Sequence, residues 1–181
     1  MAWSTPLTAV SNSALTAAQW NASVRDNLLM TAPALATAAG RIFVTTGLNA
    51  LAERAVGSAT INTQETTTSG SYTDLATVGP TVTLTTGTNV IVILTACLFN
   101  SVAGSTAQMG FQVSGATSVA PSLNQSLIYE SSASADISQM SVVVPVGGLT
   151  AGTNTFTAKY RADPSGTATF LRRSLLVLPF G

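Results

Sequence analysis

Acid–base and nucleophilic catalysis need side chains that this sequence hardly offers. It contains no histidine, so neither a Ser-His-Asp nor a Cys-His arrangement can be assembled. Its seven carboxylates, Asp26, Glu53, Glu65, Asp74, Glu130, Asp136 and Asp163, are scattered. No DxD or ExxE spacing suggests a glycosidase pair or a calcium loop. Cys97 is the one cysteine, which makes an intrachain disulfide impossible and excludes Cys/His zinc sites. It lies in the most apolar run of the chain, where a small buried hydrophobe is favoured over a reactive thiol. Gly147-Gly148 sits between candidate strands rather than ahead of a helix, unlike a phosphate-cradling loop. No catalytic residue, metal or cofactor is expected, and the chain reads as a non-enzyme.

The other reactive or sticky side chains have plain readings. Lys159, the one lysine, reads as a solvated outward charge rather than an isopeptide donor. Arg172 and Arg173 are adjacent in a candidate strand. Either one turns inward and pairs with a carboxylate, or a bulge places both outside. Tyr72, Tyr129, Tyr160 and Phe111 could stack on sugar rings, but with 6% aromatics core and rim packing is favoured.

Charged residues are 8% of the chain and sum to zero, against about 25% in ordinary domains. No basic field exists for nucleic acid. A Thr/Ser surface of this kind makes contacts that depend little on salt and suits packing against neighbours. The 46% hydrophobic content is enough for a core. The longest apolar run, Val90 to Leu98, is broken by Thr95 and falls far short of the roughly 20 residues a spanning helix needs. The N-terminus lacks a basic segment followed by an apolar one, so no signal peptide is expected and folding in the cytoplasm is.

One helix is predicted, over about residues 15–30. Thr16 and Gln19 form a capping box, with Leu15 and Trp20 placed for a hydrophobic staple. Trp20, Val24 and Leu28 follow at i+4 spacing as one narrow apolar stripe, and Pro33 ends helical geometry. Such a helix is marginal alone in water and must dock on something. Residues 1–12 have no periodicity and are expected to lie extended on a partner. A hairpin is predicted over about 41–56 around Thr46-Gly47-Leu48-Asn49, and Gly57-Ser58 makes a boundary.

Beyond it the pattern is all β, with candidate strands at 59–65, 71–78, 80–86, 89–99, 106–114, 126–130, 137–146, 153–162 and 167–178. The fold class expected is mainly β: an antiparallel β-sandwich, jelly-roll-like, preceded by a short N-terminal helix and a small hairpin or extended segment. Thr-x-Gly-x-Asn recurs at 45–49, 85–89 and 150–154, without fixed period, and reads as shared turn chemistry.

Strands 80–86 and 153–162 alternate cleanly, with Val82 and Leu84, and Phe156, Ala158 and Tyr160, pointing in. Strand 89–99 does not: Ile91 and Ile93 leave its second face apolar too, as Val143 and Leu176 do in theirs. A two-layer sandwich has one interior, so that second face needs a cover, either the N-terminal segment or another subunit. Another subunit is favoured, and Ile91, Ile93, Val143 and Leu176 are the expected interface.

The stretch Leu15-Thr16-Ala17-Ala18-Gln19-Trp20-Asn21 with Val24-Arg25-Asp26-Asn27-Leu28 resembles the opening of small virion proteins of phages infecting actinobacteria. Residues 39–54, 66–75 and 149–156 are similar to segments of phage tail and fibre proteins. The resemblance implies a virion structural protein: a minor tail, fibre, spike or head-decoration component assembled in the host cytoplasm. Residues 1–57 would attach through Trp3, Trp20, Val24, Arg25 and Leu28, and residues 58–181 would form an outward-facing knob, a homotrimer by expectation. Its partners would be copies of itself and phage capsid or tail proteins, with no nucleic acid and no membrane insertion. The alternative is a lectin-like module that binds a host-surface glycan.

Overall fold

Threonine alternating with valine and leucine specifies strands with one wet and one dry face, and the computed structural model places them so. It describes residues 5, 7, 8, 10–31 and 35–181. A hairpin of β1 (Arg41–Gly47) and β2 (Ala50–Ala55) precedes a sandwich of two antiparallel sheets. The sandwich strands are β3 (Gly57–Ile61), β4 (Glu65–Thr67), β5 (Thr81–Thr86), β6 (Val90–Asn100), β7 (Thr106–Gly115), β8 (Leu127–Glu130), β9 (Ser138–Val146), β10 (Gly152–Asp163) and β11 (Ala168–Pro179).

One sheet has the order β5-β10-β7-β8. The other has the order β3-β11-β6-β9, with β4 also pairing β11. Counting β3 and β4 as one interrupted edge strand gives two four-stranded sheets. The chain crosses between them at every step except the β7–β8 hairpin. This is jelly-roll connectivity, read from strand order. Between the sheets lies a core of Val90, Val92, Leu94, Leu98, Met109, Phe111, Phe156, Tyr160, Phe170, Leu175 and their neighbours.

β11 reaches that core on both sides of a bulge. Leu171 pairs Cys97 and Ser174 pairs Thr95, so Arg172 and Arg173 together oppose Ala96. Arg172 takes φ 51° and is exposed, while Arg173 is fully buried. The extra residue shifts the side-chain phase, so Phe170, Arg173, Leu175 and Val177 all face inward. The two sequence alternatives for the arginine pair thus combine: there is a bulge, and one arginine turns in to meet a carboxylate.

Two strand expectations are corrected. Residues 59–65 divide into β3 and β4, because residues 62–64 leave the ladder opposite the bulge and Thr63 turns its carbonyl to Arg173 Nη2 at 3.2 Å. Residues 71–78 form a loop with one bridge, Thr73 to Tyr160. Side chains there claim groups a ladder would use: Glu65 accepts the Thr77 amide, and Ser69 Oγ donates to the Ser71 carbonyl.

The helix runs from Ala17 to Leu28, shorter than expected at its C-terminal end. Thr16 and Gln19 make both bonds of the capping box. Asn21–Arg25 takes π geometry, which widens the turn and breaks the i+4 stripe. The side chain buried in this helix is Asn27, not an apolar one. The part of the N-terminal arm that is described does not reach away extended: the Leu7 amide donates to Ser23 Oγ at 2.9 Å, folding it back on the helix.

Candidate functional site

The two outer faces of the sandwich differ in chemistry. On the β5-β10-β7 side, Thr83 faces Thr155 and Thr81 faces Thr157, with hydroxyls 2.9 and 3.4 Å apart. Lys159 reaches Asp74 at 2.7 Å and Arg161 reaches Asp163 at 3.1 Å. Lysine 159 is therefore outward, as expected, but in an ion pair. This face is polar and its hydrogen bonds are made on its own surface.

On the β3-β11-β6-β9 side, register brings the expected interface residues together. Leu176 pairs Ile93, and Ile93 pairs Val143, forming one lateral row. Leu178, Ile91 and Pro145 form the row beside it. Directly opposite side chains in antiparallel strands stand about 4.5–5.5 Å apart, so these six make one continuous apolar patch. Val143 is 59% exposed, and Ile91, Ile93 and Leu176 are half-buried. Next comes a hydroxyl row, in which Thr60 bonds Ser174 at 3.2 Å and Thr95 is 2.7 Å from Ser141. No charged side chain belongs to either apolar row.

The patch keeps Val143 59% exposed, and the N-terminal hairpin packs its strand β2 on β5 and β11. Gly57, just after it, runs so close to β5 that a Cβ there would lie 2.5 Å from Val82 Cγ1.

The anchoring residues from the sequence fall on one short helix. Trp20 is 56% and Leu28 60% exposed, with Leu29 beside them, while Val24 is half-buried. Arg25 lies at the surface and pairs Asp26 at 2.8 Å. Trp3 lies outside the described residues. Of the aromatic residues weighed for sugar stacking, Phe111 and Tyr160 are in the core. Tyr72 hydrogen-bonds Ser126, and Tyr129 donates to Asp136 at 2.8 Å, so both hydroxyls are engaged. The bond to Asp136 raises the Tyr129 pKa, and the Ser132 hydroxyl, followed by that of Tyr129, lowers that of Asp136.

Two clusters go beyond what the sequence spells out: the particular carboxylate that meets the inward arginine, and a cleft beside the hairpin. Arg173 Nη2 meets Glu65 Oε2 at 3.0 Å beneath the Tyr160 ring, whose centroid is 5.3 Å from the guanidinium carbon. Burial pushes the Tyr160 hydroxyl far above its ordinary range, and it donates to the Gly79 carbonyl at 2.7 Å. Arg41, Glu53 and Arg54 border a cleft against β5. Both clusters join residues distant in sequence, and neither spacing signals the meeting.

No family model matches the chain, and no curated protein matches it. Among solved structures it is similar to Eiger TNF from S. frugiperda, with 8% identity and a TM-score of 0.48 over 71% of this chain and 93% of that one. It is similar to the VP2 subviral particle of infectious bursal disease virus, with 13% identity and a TM-score of 0.45 over 78% of this chain and 38% of that one. A family two carbohydrate esterase from Cellvibrio japonicus matches at 12% identity and a TM-score of 0.25, over 71% of this chain and 36% of that one. All three scores fall below 0.5, and the jelly-roll assignment rests on the strand order.

Proposed function

We propose that the protein is a non-catalytic structural component of a phage particle, a homotrimeric fibre, spike or decoration protein. It associates through the β3-β11-β6-β9 face and attaches through its N-terminal segment. The observation that carries this reading is the apolar double row of Leu176, Ile93, Val143, Leu178, Ile91 and Pro145, which lies on the outside of the sandwich. Covering a fully exposed aliphatic side chain is worth about 1.5–3 kcal/mol, and cyclic symmetry repeats the gain at each interface. The polar face opposite, with its threonine hydroxyls and its Lys159–Asp74 and Arg161–Asp163 ion pairs, would then point outward.

Attachment is supported by the helix. It exposes Trp20, Leu28 and Leu29, and a helix this short is marginal without docking. The test is incorporation into particles. Phage carrying the Trp20→Ser, Leu28→Ser double variant should yield particles depleted of the protein, while the free variant keeps its wild-type sedimentation. Normal incorporation of that variant would refute the anchor assignment. Electron microscopy of particles labelled for the protein would place it on head or tail, and absence from purified particles would refute the virion reading.

A further inference from the structure

A second surface feature lies away from the apolar face. Between the β1–β2 hairpin and β5 lies a cleft of about 410 Å³ lined by Arg41, Glu53, Arg54, Thr83 and Thr85, with Ala55 and Leu84. That volume is at the small end of the range for small-molecule sites, which run from about 300 to 1,000 Å³. Two of the chain's seven cationic residues border it. By the hairpin register they come from its two faces, since Arg41 pairs Ala55 whereas Arg54 pairs Ile42.

The carboxylate in the cleft is already committed. Glu53 accepts the Thr37 amide at 2.6 Å and the Thr37 hydroxyl at 2.7 Å, and faces Arg41 at 3.6 Å. Those Thr37 bonds, with Arg41, hold its carboxyl below the ordinary value near 4.5, so it stays ionised. Arg54 has no carboxylate of its own. Its Nη1 donates to the Glu53 carbonyl at 3.1 Å, and its buried Nε has no partner among the described residues. One carboxylate against two guanidiniums leaves the cleft with one excess positive charge, in a chain whose total is zero. Guanidinium favours carboxylate and phosphate, which accept two parallel N–H bonds. The Thr83 and Thr85 hydroxyls on the β5 wall suit neutral hydroxyl partners.

The geometry points to an oxyanion site between the hairpin and β5, taking a small polyol that carries a carboxylate or a phosphate, a uronic acid or a sugar phosphate. The oxyanion meets Arg54, and the polyol lies along Thr83 and Thr85. The site uses no residue of the apolar face, so it stands or falls separately from trimer formation.

The test titrates the ¹⁵N-labelled full chain with glucuronate, glucose 6-phosphate, glucose and inorganic phosphate, following the Arg54 Nε–H signal and the amides of residues 83–85. Glucuronate or glucose 6-phosphate should shift them saturably, with glucose silent, and the responding arm identifies the anion. Arg54→Gln should weaken binding at least about tenfold, the scale of losing one charge-assisted hydrogen bond, and Arg161→Gln on the β10 face should leave it unchanged. Thr85→Val, which keeps both arginines and fits a strand, should weaken the sugar while sparing inorganic phosphate. Silence with both anionic sugars, or equal responses to glucose, would overturn the site. Equal affinity for inorganic phosphate and glucose 6-phosphate would overturn the polyol assignment.

Discussion

Arg173 takes a permanent charge into the middle of an otherwise greasy sandwich. It keeps Nη2 on Glu65 and on the Thr63 carbonyl, while its Nε and Nη1 lack partners among the described residues. Glu65 is drawn both ways: burial raises its pKa, but the Thr77 hydroxyl and amide and the Arg173 charge outweigh this, and the net shift is downward from 4.5. A carboxyl whose folded pKa is depressed contributes stability above its unfolded pKa. That contribution is lost as pH falls through the lower folded value. Thermal unfolding should therefore be flat with respect to this pair near neutrality and weaken below about pH 4.5, and Glu65→Gln should remove that acid limb. Breaking a buried pair from one side costs about 3–5 kcal/mol. Glu65→Gln should accordingly lower the melting midpoint by roughly 6–20 °C. Replacing both partners, with Arg173→Met added, should recover much of the loss, because no uncompensated charge remains. If the double variant melts below the single one, the pair is not the source of the effect.

Among the elements, β3 and the helix make sharp claims. Gly57 has room for hydrogen alone against Val82 and Leu84, with an added Cβ 2.5 and 3.2 Å from them. Gly57→Ala should cost about 1–3 kcal/mol by overpacking, seen as a lower urea midpoint with unchanged slope. Thr16→Ala removes the side-chain acceptor for the Gln19 amide. It should cost the helix about 1 kcal/mol, read as faster amide exchange at residues 19–21. These elements were legible to different degrees. The capping box, the one-sided strands β5 and β10, and the two-sided apolarity of β6 follow from local periodicity, and the structure has each of them. The split of β3 from β4 and the loss of a strand at 71–78 were not legible. The first depends on the bulge in β11, whose effect on Thr63 and Glu65 crosses about a hundred residues of sequence, and the second on side chains that claim the loop's backbone groups. The π turn at Asn21–Arg25 likewise left no periodic signal, and the buried position of the helix is Asn27. The apolar patch was the most legible part of the candidate site, since alternation names its residues and register only assembles them. The arginine cleft was not, because β1, β2 and β5 meet there only through the fold.

The whole molecule is a sandwich with unlike outer faces: hydroxyls hydrogen-bonded to one another on one side, Leu176, Ile93, Val143 and their neighbours on the other. That asymmetry is the physical ground for the proposed assembly, and mass in solution tests it most directly. Sedimentation equilibrium of the full chain should give three times its 18.4 kDa chain mass, with little change between low and high salt because the face is uncharged. Ile93→Asp with Val143→Asp should shift it to one chain mass without loss of β-sheet circular dichroism. A wild-type chain that sediments as a soluble monomer across the concentration range would contradict the account.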